Sequence, residues 1–326
     1  MIPLFKVFMA DDAKTKVAEV LDSGFIGQGK KVEEFEKELR EYFEAPHAVT
    51  TNSATSAEHL ALHILKRYGL EPGDEVLATP LTCSASNWPI IHNGFKIKWV
   101  DVNPFNCNMN LFDLERKMTP KTKAIMGVHW SGIPLDMDKI DEIRERAFQA
   151  FGFRPHVIYD CAHALGSRYR GRRIGTKGIN TFSFQAIKHL TTADGGAIVT
   201  DWDALAEQAV LDRWYGISRD DSKRSDFRCE EDIKSVGFKF HMNDVNASIG
   251  LANIKHVDYI VGQHKRNAAF YDTALDDLHG LTLLTRDMED DPAFWIYSML
   301  VERKADFMRA MKDRGVMTSQ VHERND

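Results

Sequence analysis

The 326-residue chain is poor in cysteine, with four: Cys83, Cys107, Cys161 and Cys229. None pair in CxxC spacing, which argues against a zinc site, and no metal is expected. Few, scattered cysteines suit a reducing compartment. No apolar run approaches the ~18 residues a membrane span needs. The opening Met1-Ile2-Pro3-Leu4-Phe5-Lys6 lacks the longer apolar core of a secretory signal. A cytoplasmic protein without membrane contact is expected. Positive charge is also short: 42 Lys and Arg face 48 Asp and Glu, a formal net charge of −6, with no long basic run. This argues against broad nucleic-acid binding. Low-complexity linkers and short-period repeats are absent.

What is present is ordinary globular composition, 43% hydrophobic and 28% charged, in a chain long enough to bury a core without disulfides. Strand-like and helix-like segments alternate. Val32, Phe35, Leu39 and Tyr42 recur at helical spacing in a charged stretch. Residues 48–51 form a short apolar run. Ser53 then caps a second helical pattern through Leu60, Ile64 and Leu65. Strands are expected at 75–78, 96–100, 124–128, 156–159, 181–184 and 197–200, and a helix at about 136–150. This alternation implies an α/β fold, a mostly parallel central sheet with helices on both faces. From about Leu251 the pattern changes to a helix carrying Tyr259, His264, Phe270 and Leu275. Strand-like residues 281–284 and 295–301 and a helix at 305–311 follow. The expected division is a large domain over 1–250 and a smaller C-terminal α+β domain over 251–326.

Ligands in parallel sheets bind beyond the carboxyl ends of strands. Three polar motifs lie there. Lys188 follows the strand ending in Ser183-Phe184, inside a hydroxyl-rich turn closed by Gly195-Gly196. A lysine amine becomes a nucleophile when desolvation takes its proton; an isolated loop lysine is more often a solvated charge. Asp160 closes an apolar strand 28 positions earlier, with His163 close behind. A buried carboxylate needs a charged partner, and a pyridinium nitrogen would serve; a turn cap is the plainer reading. Asn52-Ser53-Ala54-Thr55-Ser56-Ala57 opens a helix whose free N–H groups suit a phosphate, or only its own N-cap.

Together and in this order these motifs resemble the DegT-type sugar-nucleotide aminotransferases, enzymes like perosamine synthase that use pyridoxal 5'-phosphate (PLP). The resemblance runs from Ile2 to at least Ile254. It includes Gly24-Phe25-Ile26-Gly27-Gln28-Gly29, residues 52–62, Asp160-Cys161-Ala162-His163-Ala164 and Ser183-Phe184-Gln185-Ala186-Ile187-Lys188. It continues through Gly237-Phe238-Lys239-Phe240-His241-Met242-Asn243-Asp244. The resemblance implies a PLP-dependent transferase of fold type I. It makes Lys188 the Schiff-base lysine and proton shuttle, Asp160 the partner of the pyridine nitrogen, and His163 a neighbour of the ring or its phenolic oxygen. The backbone at Ala54 and Thr55, with Ser183 and Gln185, would hold the phosphate. Segment 237–244 would reach a neighbouring subunit's site in a homodimer with shared active sites, Lys239 touching phosphate there.

The chain departs from the family pattern at four of these positions. Ala54 replaces a common glycine. Cys83 replaces the aromatic that usually stacks on the ring. Lys239 replaces an asparagine and His241 an arginine. The family's small domain normally continues several dozen residues past position 326, so residues 322–326 are expected to begin a substrate loop. The expected reaction moves an amino group from an amino acid, glutamate, to a nucleotide-linked keto-sugar destined for lipopolysaccharide or another surface glycan. A PLP-dependent sugar dehydratase or other lyase, and a non-catalytic PLP-binding regulator, are the rivals. Some dehydratase relatives carry histidine in place of the lysine, so Lys188 favours transamination. Trp88, Trp99 and Trp295 are expected as core or interface aromatics, and Arg170, Arg172 and Arg173 as a solvated hairpin. The turn at residues 129–132 follows a strand end, the kind of place where site residues gather.

Overall fold

A computed structural model describes residues 1–218 and 233–326. Cys229 lies outside the described residues. Seven strands form the central sheet: β1 His47–Thr51, β2 Glu75–Ala78, β3 Lys96–Trp99, β4 Thr122–Val128, β5 His156–Asp160, β8 Ile179–Ser183 and β9 Gly196–Thr200. Between β5 and β8 the chain makes a small hairpin, β6 Arg168–Tyr169 and β7 Arg172–Arg173. The sheet order is β1-β9-β8-β5-β4-β2-β3. The pairs β8–β5, β5–β4, β4–β2 and β2–β3 are parallel, and β9 alone runs against its two neighbours. The carboxyl ends Thr51, Ala78, Val128, Asp160 and Ser183 therefore share one edge of the sheet. Gly196 starts β9 at that same edge, opposite both Thr51 and Ser183.

Strand alternation sends side chains to two apolar layers. Leu77, Ile125, Val157, Tyr159, Phe182 and Val199 face one core, which holds α2 Lys30–Phe43 and α6 Met137–Phe151. Val76, Ala78, Ala124, Met126, Ile158 and Ile198 face the other, against α3 Ala54–Leu65 and α7 Asp203–Asp212. On α2 the buried stripe is Val32, Phe35, Leu39 and Phe43. Phe43 takes the place expected for Tyr42, which is only half-buried, with the Arg173 guanidinium 4.2 Å from its ring centroid. Ser53 caps α3 as expected, its Oγ accepting from Ser56 N at 3.1 Å. A helix the pattern did not reveal, α4 Ser84–His92, follows β2 and contains Pro89.

Remaining helices are α1 Ala13–Ser23, α5 Leu111–Lys117, α8 Asp244–Asn253 and α9 Val257–Leu275. Beyond α9 lie the antiparallel pair β10 Leu281–Leu283 and β11 Met299–Val301, then α10 Lys304–Asp313. Ile2 bridges Val316, so the amino terminus pairs with this C-terminal region. The strand expected over 295–301 is shorter than its sequence pattern. Phe294 has φ 52°, the Trp295 indole bonds Ile187 O, and the Ser298 hydroxyl meets Ser131 Oγ at 2.8 Å. These contacts hold 294–298 against the large sheet and leave only Met299–Val301 to pair with β10.

Candidate active site

Lys188 stands in a turn built from the end of β8. Thr192 N donates to Phe184 O (2.9 Å) and Phe184 N to Gly195 O (2.8 Å), closing the loop on itself. Lys188 N donates to Gln185 O inside it. From α8, Asn246 Nδ2 donates to Thr192 O and Asp194 O, and Asn253 Nδ2 to Thr191 O. The lysine thus rides on a rigid platform. Its side chain is only partly exposed and forms no ion pair among the described residues. Burial pushes its amine down to about 8, against the opposing pull of Asp160, Cys83 and Glu58. Desolvation thus leaves more of this amine neutral near pH 7 than of a free lysine.

Asp160 ends β5 and is 5% exposed. Oδ1 accepts from Ala162 N (2.9 Å), and Oδ2 from Ser86 Oγ (2.6 Å), whose oxygen also meets Thr82 Oγ1 at 2.8 Å. His163 is buried, and its Nδ1 has no hydrogen-bond partner among the described residues. Burial, then the Lys188 charge, hold it well below the usual histidine range, so it is neutral at pH 7. Its ring stacks on Trp295 (centroids 4.1 Å apart, planes at 21°) and meets Trp130 edge-on. The His322 ring lies nearly parallel to it, centroids 5.9 Å apart.

Ala54 and Thr55 open α3 at the same edge. Ser56 N and Ala57 N are satisfied by Ser53, whereas the N–H groups of Ala54 and Thr55 meet no acceptor among the described residues. Ser183 ends β8, with Oγ accepting from Gln185 N at 3.4 Å. The exposed Gln185 side chain bends back on its own loop, Oε1 accepting from Ile187 N. Lys239 pairs through its backbone with Trp214, and its carbonyl accepts from Asn52 Nδ2 at 3.3 Å. Segment 237–242 therefore runs past the α3 N-terminus of its own chain. Cys83 precedes α4, exposed, and still close enough to act electrostatically on Lys188.

Lys188, Asp160, His163, Cys83 and the α3 N-terminus are thus gathered at one sheet edge. They fit PLP by their chemistry. The two open N–H groups suit its phosphate, the buried carboxylate suits its ring nitrogen, and the unpartnered His163 Nδ1 is a polar atom without a protein partner. The amine supplies the nucleophile.

Four contributors were not singled out. Trp295, expected in a core or interface, lies in the site, with Lys188 Nζ 3.5 Å from its ring centroid. Ser86 went unseen because α4 did. His322 comes from the segment expected to begin a substrate loop, and Asn325 ties that segment to Pro80 O and Thr82 O. Glu58 was hidden among the apolar residues of α3. The turn at 129–132 does reach the site, through Trp130. In the arginine hairpin Arg170 and Arg172 are exposed, as expected; Arg170 also meets Asp138 and Glu289, and the half-buried Arg173 meets Asp258.

Comparison with known proteins is consistent with this geometry. The model of the DegT/DnrJ/EryC1/StrS aminotransferase family matches residues 8–325. The chain is 35% identical over 318 residues to the spore coat polysaccharide biosynthesis protein SpsC of Bacillus subtilis, covering 94% of this chain and 79% of SpsC. The crystal structure of the sugar aminotransferase CalS13 from Micromonospora echinospora superposes with a TM-score of 0.94 at 41% identity, over 100% of this chain and 87% of CalS13. The PLP form of the sugar aminotransferase-like Spr1654 from Streptococcus pneumoniae superposes at 0.88 with 27% identity, over 99% and 85%.

Proposed function

The chain belongs to the DegT/DnrJ/EryC1/StrS aminotransferase family, and from that premise we propose that it carries an amino group from glutamate to a nucleotide-linked keto-sugar. It is a PLP-dependent sugar aminotransferase. The donor, the nucleotide and the residue roles below are our reading.

Bound PLP supplies an electrophilic aldehyde and an electron sink. Lys188 Nζ is the attachment point and the general base and acid. It takes the proton from the donor's α-carbon in one half of the cycle and delivers one to the acceptor sugar's carbon in the other. Asp160, held by Ser86 and Ala162 N, keeps a proton on the ring nitrogen. His163, neutral, would border the ring or its phenolic oxygen. The N–H groups of Ala54 and Thr55, with Ser183 and Gln185, hold the phosphate, and Lys239 completes it across a homodimer. The platform of residues 184–195 fixes the lysine so that both proton transfers start from one position. Lysine at 188, where some relatives carry histidine, supports transamination over dehydration.

The observation that carries this reading is the placement of the partly buried Lys188 amine over Trp295, at the sheet edge that also holds Asp160 and His163; desolvation there pushes the amine down. No helix among the described residues is long and apolar enough to cross a membrane, and we take the site of action to be the cytoplasm. The products would feed surface glycans such as lipopolysaccharide. Adding glutamate to the PLP-loaded protein should convert its visible absorption to that of the amine form. A panel of nucleotide keto-sugars, read by mass spectrometry, should then yield one amino sugar. A spectrum indifferent to every amino acid would sink the proposal.

A further inference from the structure

Glu58 is a peculiar residue for its place. It lies on α3 among Ala57, Leu60 and Ala61 and is 1% exposed. It meets the Asp160 carboxylate side chain to side chain, and among the described residues no ordinary donor reaches either of its carboxyl oxygens, so a hydrogen bond between the two acids uses a proton of their own. Asp160 by contrast accepts two, from Ser86 Oγ and Ala162 N. A buried acid with no donor, beside a buried acid with two, cannot also be charged: like charges at short range in a low dielectric are not both ionised. Of the two, Glu58 is the one whose surroundings favour keeping a proton.

We infer that Glu58 is a positioning residue of the cofactor site, a neutral carboxylic acid that shares its proton with Asp160 and sets how strongly Asp160 holds the ring nitrogen of PLP. This rests on the reading of Asp160 proposed above. A purely packing role for residue 58 would be served better by leucine, since a carboxyl without partners costs stability where an apolar side chain adds it. Burial first, then Asp160 and Cys83, hold the Glu58 carboxyl well above the usual range, which agrees with the geometry. The titratable groups facing it are Asp160 and Cys161 at the end of β5, Cys83 ahead of α4 and Lys188 beyond β8. Asp160 would meet the cofactor itself; Glu58 acts through it.

The test uses the full chain and its E58Q, E58L, D160N and E58Q/D160N variants. The first readout is the unfolding equilibrium of protein without PLP from about pH 5 to about pH 8. A carboxyl whose folded pKa is raised keeps its proton longer folded than unfolded. Wild type should therefore lose stability relative to E58Q as pH rises above the ordinary 4.5, by up to tenfold in the unfolding constant per pH unit. With Asp160 made neutral the same E58Q difference should shrink, because the like charge is gone. The second readout is the pH midpoint of the visible absorption of bound PLP. Glutamine still donates to Asp160 and leaves the midpoint in place. Leucine does not, and should move it by about one unit, the worth of one ordinary hydrogen bond. An E58Q difference that is flat with pH, or undiminished by D160N, overturns the shared proton. A midpoint that D160N moves and E58L does not overturns this inference alone. A D160N protein whose PLP spectrum matches wild type overturns the Asp160 reading as well.

Discussion

The Lys188 ammonium lies over the face of Trp295, Nζ 3.5 Å from the ring centroid, while the indole N–H donates to Ile187 O at 2.8 Å. Residue 295 comes from the C-terminal region and residue 188 from the large sheet. One side chain therefore both covers the lysine and pins the strand-end loop that carries it. Trp295→Phe keeps the aromatic face and removes the one hydrogen bond. It should lower stability by about 1 kcal/mol, read from denaturant midpoints.

Lys188→Ala removes the proposed nucleophile and proton carrier together. PLP should no longer be retained after borohydride treatment and denaturation, and turnover should fall by about 10²-fold or more. Wild-type retention or turnover in this variant would refute the assignment.

The depressed Lys188 amine sets a pH dependence with a definite sign. Below about 8 the folded chain holds the amine charged in a partly desolvated place, and between about 8 and the ordinary 10.5 it sheds that proton while the unfolded chain keeps it. Stability from this group therefore rises with pH across that window. Lys188→Met, which carries no charge, should lose its stability advantage over wild type as pH climbs from about 8 to 10.5. The rate of PLP capture by wild type should also rise up to about pH 8 and level off above it. A capture rate that still climbs tenfold per unit beyond pH 9 would point to an ordinary, solvated lysine.

Gly196 opens β9 against the start of α3. A Cβ there would lie 2.4 Å from Ala54 N and 2.5 Å from the Ser53 carbonyl carbon, both backbone atoms that cannot rotate away. Gly196→Ala should cost about 1–3 kcal/mol through overpacking. It should also weaken PLP binding, because the displaced N–H groups are those proposed for the phosphate. Calorimetry with PLP separates the two effects.

Asp244, in the segment that resembles the family's later signature, accepts from Gly29 N at 2.8 Å, Val32 N at 3.1 Å and Lys31 N at 3.3 Å. It caps α2 from the start of α8, 212 residues or more away in sequence. Asp244→Ala leaves those donors unpaired and should cost about 1–3 kcal/mol, with Asp244→Asn recovering part of it. Equal denaturant midpoints for all three proteins would dismiss the cap.

Local pattern sufficed for much of this molecule. Strand-period apolar runs placed β2, β4, β5, β8 and β9 within a residue or two, since each must bury both faces. The strand-end rule then put Asp160, Lys188 and the α3 N-terminus at one edge, because their chemistry sits where the pattern stops. What local pattern did not single out was residue 58, one acid among the apolar residues of α3, and what it misplaced was residue 295, expected as a core or interface aromatic. Their meaning depends on which neighbour the fold brings. Parallel crossovers set β5 and β8 side by side and lay α3 on them, so a glutamate on α3 faces Asp160. The positive φ at Phe294 turns Trp295 out of a strand and onto Lys188. Residue types and periods are written along the chain; contacts between residues 100 apart are fixed only when burial of both sheet faces chooses one packing among many.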